Sequence, residues 1–339
     1  MAQDDYSRVI SAPDTSSFLE DDRRFKLFGS HVRVLIGEPV RPGLPSPEAM
    51  GIQIEFFLRL LHRKLSRFDQ GSELCALNAE AGNACSVSPT LAVAIGAGLW
   101  AARRSDGLVD PTLVSELEDA GYATSRADLA PAGIGEALAV APERNPASPR
   151  AGSRWRDISV DAVAGIVSRP PGIRLDTGGS GKGLAADLAS DRLAGYSTFV
   201  VDAGGDLRIG GDRPLERQVR IDHPLEQAPA HEFMLDRGAV ATSGIKTRLW
   251  QTETGYAHHL LDPSTGDPAW TGVIQASSLG STALEAETLA KMAFLSGPER
   301  AREILDSHGG LIVLDDGTVE LCGSLAETPS DQHEVVMAA

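Results

Sequence analysis

The chain has 339 residues, 42% of them hydrophobic, and a formal net charge of −16. That length allows one large domain or two small ones, and the apolar fraction supports a real core. The acidic balance argues against unaided binding to nucleic acid or to an anionic membrane, so an anionic ligand would need a local positive site.

Cys75, Cys85 and Cys322 form no CxxC motif and leave an odd number, which reads as a reduced compartment. The N-terminal stretch is acidic and polar and lacks the basic start and apolar run of a signal peptide. No run of eighteen apolar residues occurs. The expectation is a cytoplasmic protein without membrane insertion or nucleic-acid partners.

In chain order, residues 1–24 read as a flexible arm, 25–324 as the folded domain and 325–339 as a flexible tail. KLFGSHVRVLIG, just after Phe25, predicts strand segments. Helical spacing over Glu55–Phe68 puts Phe56, Leu60, Leu61 and Leu65 on one stripe. Ser88 as N-cap and Pro89 at the first helical position open a second helix that runs to about Arg104 and stops before Gly107. Residues 123–152 have no strong period, with room for a short helix in TSRADLAPAGIGEAL.

RWRDISVD and GIRLD read as strands, and Lys182–Leu193 as a helix leaving a glycine turn. STFVVDAGGDLRIGG predicts two strands around a glycine break, and Ala239–Ser243 starts another strand. Thr282–Leu295 predicts a helix, Pro298 starts the next, and LIVLDDGTVELC is a hairpin turning on Asp316-Gly317. With no repeat and no long linker, one α+β domain is favoured.

Five segments hold side chains capable of chemistry. LDTGGSGKGLAAD (175–187) places Gly178, Gly179, Gly181 and Gly183 around Lys182, the makings of a phosphate cradle at a helix N-terminus. It is not a Walker A loop, because Asp176 stands where that motif needs glycine and Gly183 where it needs Ser or Thr. AGGDLRIGG (203–211) is a tight turn, or a backbone wall for a flat ligand with Asp206 accepting hydrogen bonds. AVATSG (239–244) is an ordinary ST-turn or a phosphate contact. In HHLLDPSTGDP (258–268), His259 suits proton transfer with Asp262 beside it, while the simpler reading has Asp262 capping a turn. In TALEAETLAKMAF (282–294), Glu287 and Lys291 stand four apart as a helix ion pair, or both point into a site.

These segments, with RFDQGSELCALN, VSPTLAVAI and GLVDPTL before them, resemble the ApbE family of FAD:protein FMN transferases in their order, from about Phe25 to Leu321. The resemblance implies a single ApbE-type α+β domain with a T-fold-like mixed sheet or barrel core and flanking helices. It implies FAD as donor, cleavage of its pyrophosphate, transfer of FMN to a Thr or Ser hydroxyl of an acceptor flavoprotein, and release of AMP. It also implies a divalent cation, usually Mg²⁺.

Carried over residue by residue, Phe28-Gly29-Ser30 is similar to the family's Met-Gly-Thr beside the flavin, and Phe68 to a stacking aromatic. Asp110-Pro111 is similar to an FAD-contacting turn, and Asp176, Lys182, Asp206 and Thr242-Ser243-Gly244 fall where the family grips FAD. His259 is similar to the histidine that would activate the acceptor hydroxyl or stabilise the departing phosphate, with Asp262 in the same block.

The chain departs from the family at the metal. The resemblance implies ligands at the Gly181 carbonyl and at an Asp and a Thr on the late helix, where this chain has Glu287 and Lys291. A protonated lysine cannot ligate a metal, so Glu287 with Gly181 is the remaining ligand set, and the Lys291 ammonium is a candidate replacement for the cation. Two other functions stay open: FAD binding without transfer, and FAD hydrolysis to FMN and AMP.

Overall fold

The structure is a computed structural model and describes residues 9–10 and 20–326. Phe28 and Gly29 have φ of 55° and 64°. That is the conformation of both central residues in a type I′ turn, whose twist matches paired strands. It joins Asp21–Leu27 to Ser30–Ile36 in register, Leu27 opposite Ser30.

The hairpin begins an eight-stranded sheet. It continues through Phe199–Ala203, Asp206–Gly210, Gly238–Gly244, Val273–Gly280, Gly310–Leu314 and Val319–Cys322, and spatial order follows chain order. Every ladder in it is antiparallel. The α+β class with flanking helices is as expected; the sheet itself is antiparallel throughout, not mixed.

Both faces of the sheet are covered, which is why its strands read as nearly continuous apolar runs. Val201 and Ala203 face the core shared with helices Pro47–Leu65, Pro89–Arg104 and Gly181–Asp191, whereas Val200 joins Val219, Ile221 and Phe233 in a second core. The second core is closed by the hairpin Arg217–Asp222 with Pro229–Leu235. A small sheet of Ala84–Ser86, Ile166–Ser168 and Ser159–Asp161 lies within the long insertion between the second and third main strands.

Two helices position the site. Gly181–Asp191 leaves the glycine turn and packs against the start of Ala283–Asp306. The contact is close enough that a Cβ on Gly183 would stand 2.5 Å from the Ala283 carbonyl oxygen. The Asp187 carboxylate accepts the backbone N–H groups of Ala283 at 2.8 Å and Leu284 at 2.9 Å, and the Thr282 hydroxyl accepts Glu285 N–H at 3.2 Å. The late helix is thus capped partly by a neighbouring helix. Its break at Gly297, φ 75° and ψ 170°, followed by Pro298, separates the two helical segments expected there.

Several local expectations are corrected. The first strand of the eight-stranded sheet starts at Asp21, and Glu20 pairs with Arg217, which is 1% exposed, so residues 20–24 belong to the sheet region and not to an arm. Leu325 is buried, so the folded part extends past 324. The remainder of the expected arm and tail lies outside the described residues, except that Val9–Ile10 pairs with Arg217–Asp222.

The first helix starts at Pro47, and its buried stripe is Met50, Ile54, Leu58, Leu61 and Leu65, leaving Phe56 63% exposed. Adjacent apolar residues at 56–58 and 60–61 admit two overlapping helical series, and packing selects the one through Leu58. GIRLD is not a strand: the Asn78 carboxamide donates to Leu175 O and accepts from Leu175 N, both at 2.8 Å, taking the place of a neighbouring chain. The strand there is Ile166–Ser168.

Glycine-to-alanine changes in helices ordinarily stabilise by about 0.5–1 kcal/mol. Gly96, with no heavy atom within 4 Å of an added Cβ, should follow that rule. Gly183→Ala should instead destabilise by roughly 1–3 kcal/mol through overpacking against Ala283. Urea unfolding of the two variants beside the wild type checks the opposite signs.

Candidate active site

The glycine turn, the aromatic loop after the first helix and the ends of the central strands enclose a cavity of about 880 Å³. At its floor, the Asp176 carboxylate accepts Gly178 N–H at 2.8 Å and Ser180 N–H bonds Thr177 O at 3.2 Å, which shapes the turn. Ser180 makes no side-chain cap, and Glu287 takes the Gly183 amide, so the positive end of helix Gly181–Asp191 faces the cavity through the amides of Gly181 and Lys182. This is a ready anion site.

One wall is aromatic and cationic. Phe68 meets Tyr122 edge-on at 5.3 Å, and Tyr122 stacks on Trp250 at 5.6 Å. The Arg67 guanidinium lies 4.4 Å from the Phe68 ring centre, donates to Tyr122 O at 2.9 Å and stands 3.4 Å from Asp176 Oδ2. Arg248 donates to the Tyr122 hydroxyl at 2.7 Å and to Phe28 O at 3.2 Å, holding the turn residue whose φ is positive.

The opposite end contains two ion pairs. Lys182 Nζ is 2.8 Å from Asp206 Oδ2, and Lys291 Nζ donates to Glu287 Oε1 at 2.8 Å. Glu287 Oε2 accepts Gly183 N–H at 2.9 Å. Glu287 is fully buried and Asp206 is 1% exposed. Burial pushes the Glu287 carboxyl above its usual range, against the pull of Lys291.

His259 lines the cavity, and its Nδ1 is buried without a hydrogen-bond partner among the described residues. Burial, reinforced by Arg248, His258, Lys291 and Lys182, holds its pKa well below the ordinary histidine value, so the imidazole is neutral at pH 7. Asp110 Oδ1 accepts both the backbone N–H of Thr112, at 2.8 Å, and its hydroxyl, at 2.7 Å. Its Oδ2 is buried without a hydrogen-bond partner among the described residues, and burial raises this carboxyl.

Most of the expected residues meet here. Phe28, Phe68, Asp110, Pro111, Asp176 and Gly181 line the cavity. Lys182, Thr242, Ser243, Gly244, His259 and Lys291 line it too. Asp206 and Glu287 do not; they stand behind the wall and hold the two lysines. Asp262 is a correction. Its carboxylate accepts from Ser264 N at 2.9 Å, Ser264 Oγ at 2.8 Å and Ser148 N at 3.1 Å, so it clamps the turn and lies outside the cavity lining.

The residues not anticipated are Arg67, Tyr122 and Arg248. Arg67 directly precedes the expected Phe68, which was the one local signal. The other two come together only through the fold.

The residues at the implied cation position do not fit Mg²⁺. No group of three or more His, Cys, Asp or Glu side chains able to hold a metal occurs among the described residues. Both oxygens of Glu287 already accept from an ammonium and an amide of this chain.

Fold and site together define an α+β protein in which a helix N-terminus faces an aromatic wall across one cavity. The sequence profile of the ApbE family matches residues 28–314, and the chain belongs to that family. An FAD:protein FMN transferase of Treponema pallidum is 30% identical over 288 residues, covering 80% of this chain and 78% of that protein. One from Rhodobacter capsulatus is 31% identical over 323 residues, covering 92% of this chain and 58% of its own length. The crystal structure of the ApbE protein of Thermotoga maritima superposes with a TM-score of 0.75 at 26% identity, covering 91% of this chain and 98% of that one. The flavin transferase ApbE from Vibrio cholerae superposes with a TM-score of 0.68 at 19% identity, a likeness of fold, over 91% of this chain and 99% of that one.

His258, beside the site residue, is buried edge-on against Trp270 at 5.0 Å and Phe294 at 6.0 Å, and burial lowers its pKa to about 3. A depressed histidine contributes no pH dependence above the unfolded value of about 6.5. Below it the unfolded chain binds the extra proton, so stability falls as pH drops toward the folded value. His258→Leu should therefore flatten the loss of stability between pH 6.5 and 5 by up to about 1.4 kcal/mol per pH unit. Urea midpoints of the two proteins across that window measure it.

Proposed function

We propose that the protein transfers FMN from FAD to a Thr or Ser hydroxyl of an acceptor flavoprotein and releases AMP. The observation that carries the proposal is the meeting, in one cavity, of a helix N-terminus at Gly181 and Lys182, an aromatic wall and a neutral histidine. The names of the relatives support the same reading.

In this reading Phe68 and Tyr122 offer flat apolar surface to the isoalloxazine ring, and the amides at Gly181 and Lys182 receive pyrophosphate oxygens. Asp110, which lines the cavity, is placed to receive a donor from the bound nucleotide. The acceptor hydroxyl oxygen attacks the flavin-side phosphorus, and the anhydride bond to the adenylate side breaks. AMP leaves with the electron pair of that bond, while the hydroxyl proton passes to the His259 imidazole and then to solvent. A neutral imidazole is the form that takes up a proton.

A cytoplasmic setting belongs to the same proposal. Its support is that Cys75, Cys85 and Cys322 are all free. No helix among the described residues is long and apolar enough to cross a membrane.

Incubation with FAD and a candidate acceptor flavoprotein, followed by intact-mass spectrometry, tests the activity. A flavin-sized mass on the acceptor with release of AMP is expected. Intact FAD and an unmodified acceptor would reduce the protein to a binder, and FMN with AMP alone would make it a hydrolase. His259→Ala should slow transfer by roughly 10²–10⁴-fold, while FAD affinity measured by flavin fluorescence changes little.

A further inference from the structure

We infer that the Lys291 ammonium is a resident cation that binds the pyrophosphate where a divalent metal would otherwise be needed, so that FAD is held without Mg²⁺. The inference rests on the flavin-transferase reading and extends it to how the anion is neutralised.

Lys291 lies one helical turn beyond Glu287 on the buried side of Ala283–Asp306. The Lys291 side chain is only 11% exposed, yet it lines the cavity. Its ammonium has three donors. One is spent on Glu287 Oε1 at 2.8 Å, which fixes the nitrogen, and two remain for ligand oxygens on the cavity side.

Glu287 is oriented in turn. Its second oxygen accepts Gly183 N–H at 2.9 Å, in the first turn of the helix whose end faces the cavity. One carboxylate therefore ties the resident cation to the anion-binding helix. The fixed charge and the helix end converge on the same anion position.

The neighbouring Lys182–Asp206 pair makes the position still less suited to a metal. Before a ligand arrives, Lys182 with Asp206 and Lys291 with Glu287 sum to zero charge in this corner. A divalent ion placed there would face two ammonium groups and would find the Glu287 oxygens already engaged. A pyrophosphate instead meets two lysines and the helix-end amides of Gly181 and Lys182. Lysine acts here as a point charge on a flexible stem, which suits phosphate oxygens but gives no ligand exchange.

The test is FAD binding by flavin fluorescence, using protein stripped with EDTA and then titrated with Mg²⁺. Wild-type affinity should be the same within about threefold in the two conditions, with no saturable Mg²⁺ effect. Lys291→Met, which keeps the stem and removes the charge, should weaken FAD binding by about tenfold or more in EDTA. Glu287→Gln combined with Lys291→Met serves as a second variant that leaves no buried unpaired carboxylate. Saturable, tenfold or stronger tightening of wild-type FAD binding by Mg²⁺ would overturn the inference. So would wild-type affinity in either variant, shown to be folded by circular dichroism. Absence of FAD binding by the wild type in both conditions is a different result: it removes the flavin reading, and the inference with it.

Discussion

Gly183 lies against the first residues of the late helix, and the arrangement of the site follows from that close approach. Because glycine has no side chain, the helix Gly181–Asp191 can sit where a Cβ would be 2.5 Å from the Ala283 carbonyl. From there the Gly183 amide reaches Glu287, and Asp187 reaches the first amides of the late helix. Each helix satisfies backbone donors of the other, so neither can shift without orphaning polar groups. The anion-facing helix end, Lys291 and the cavity floor share one rigid contact.

The charges of the molecule are organised around the same point. A chain with net charge −16 holds Lys182, Lys291, Arg67 and Arg248 around one cavity. The buried acids Asp206 and Glu287 stand outside the lining and hold two of these cations in place. Overall charge therefore says little about the local potential, which depends on which groups face inward. Three of these cations, Lys182, Lys291 and Arg248, help to keep His259 neutral, so anion binding and the supply of a proton acceptor are coupled through one field.

Local chemistry made much of the fold legible before any tertiary contact was considered. The Ser88-Pro89 start, the Asp316-Gly317 hairpin and the break before Pro298 all depend on dihedral limits and backbone donors that neighbouring residues control. Readings failed where two local solutions were nearly equal. Phe56 and Leu58 both fit a helical stripe, and only the sheet beneath the first helix distinguishes them. GIRLD has strand composition, but the partner for Leu175 is the Asn78 side chain, 97 residues away in sequence. Asp262 sits three residues after His259 in sequence, yet its Oδ1 is engaged by its own turn.

The sequence by itself determined the kinds of group available: a glycine turn with Lys182, a histidine in a turn-rich block, and a Glu-Lys pair at helical spacing. These are properties of neighbouring residues, and short-range sterics and hydrogen bonding decide them. Only the tertiary structure decided which groups face one another. Glu287 meets Gly183 across 104 residues, and Arg248 meets Tyr122 across 126. Burial and direction also belong to the fold, because they depend on what packs around each side chain. They make Lys291 an inward-facing cation where spacing alone describes an ordinary surface ion pair.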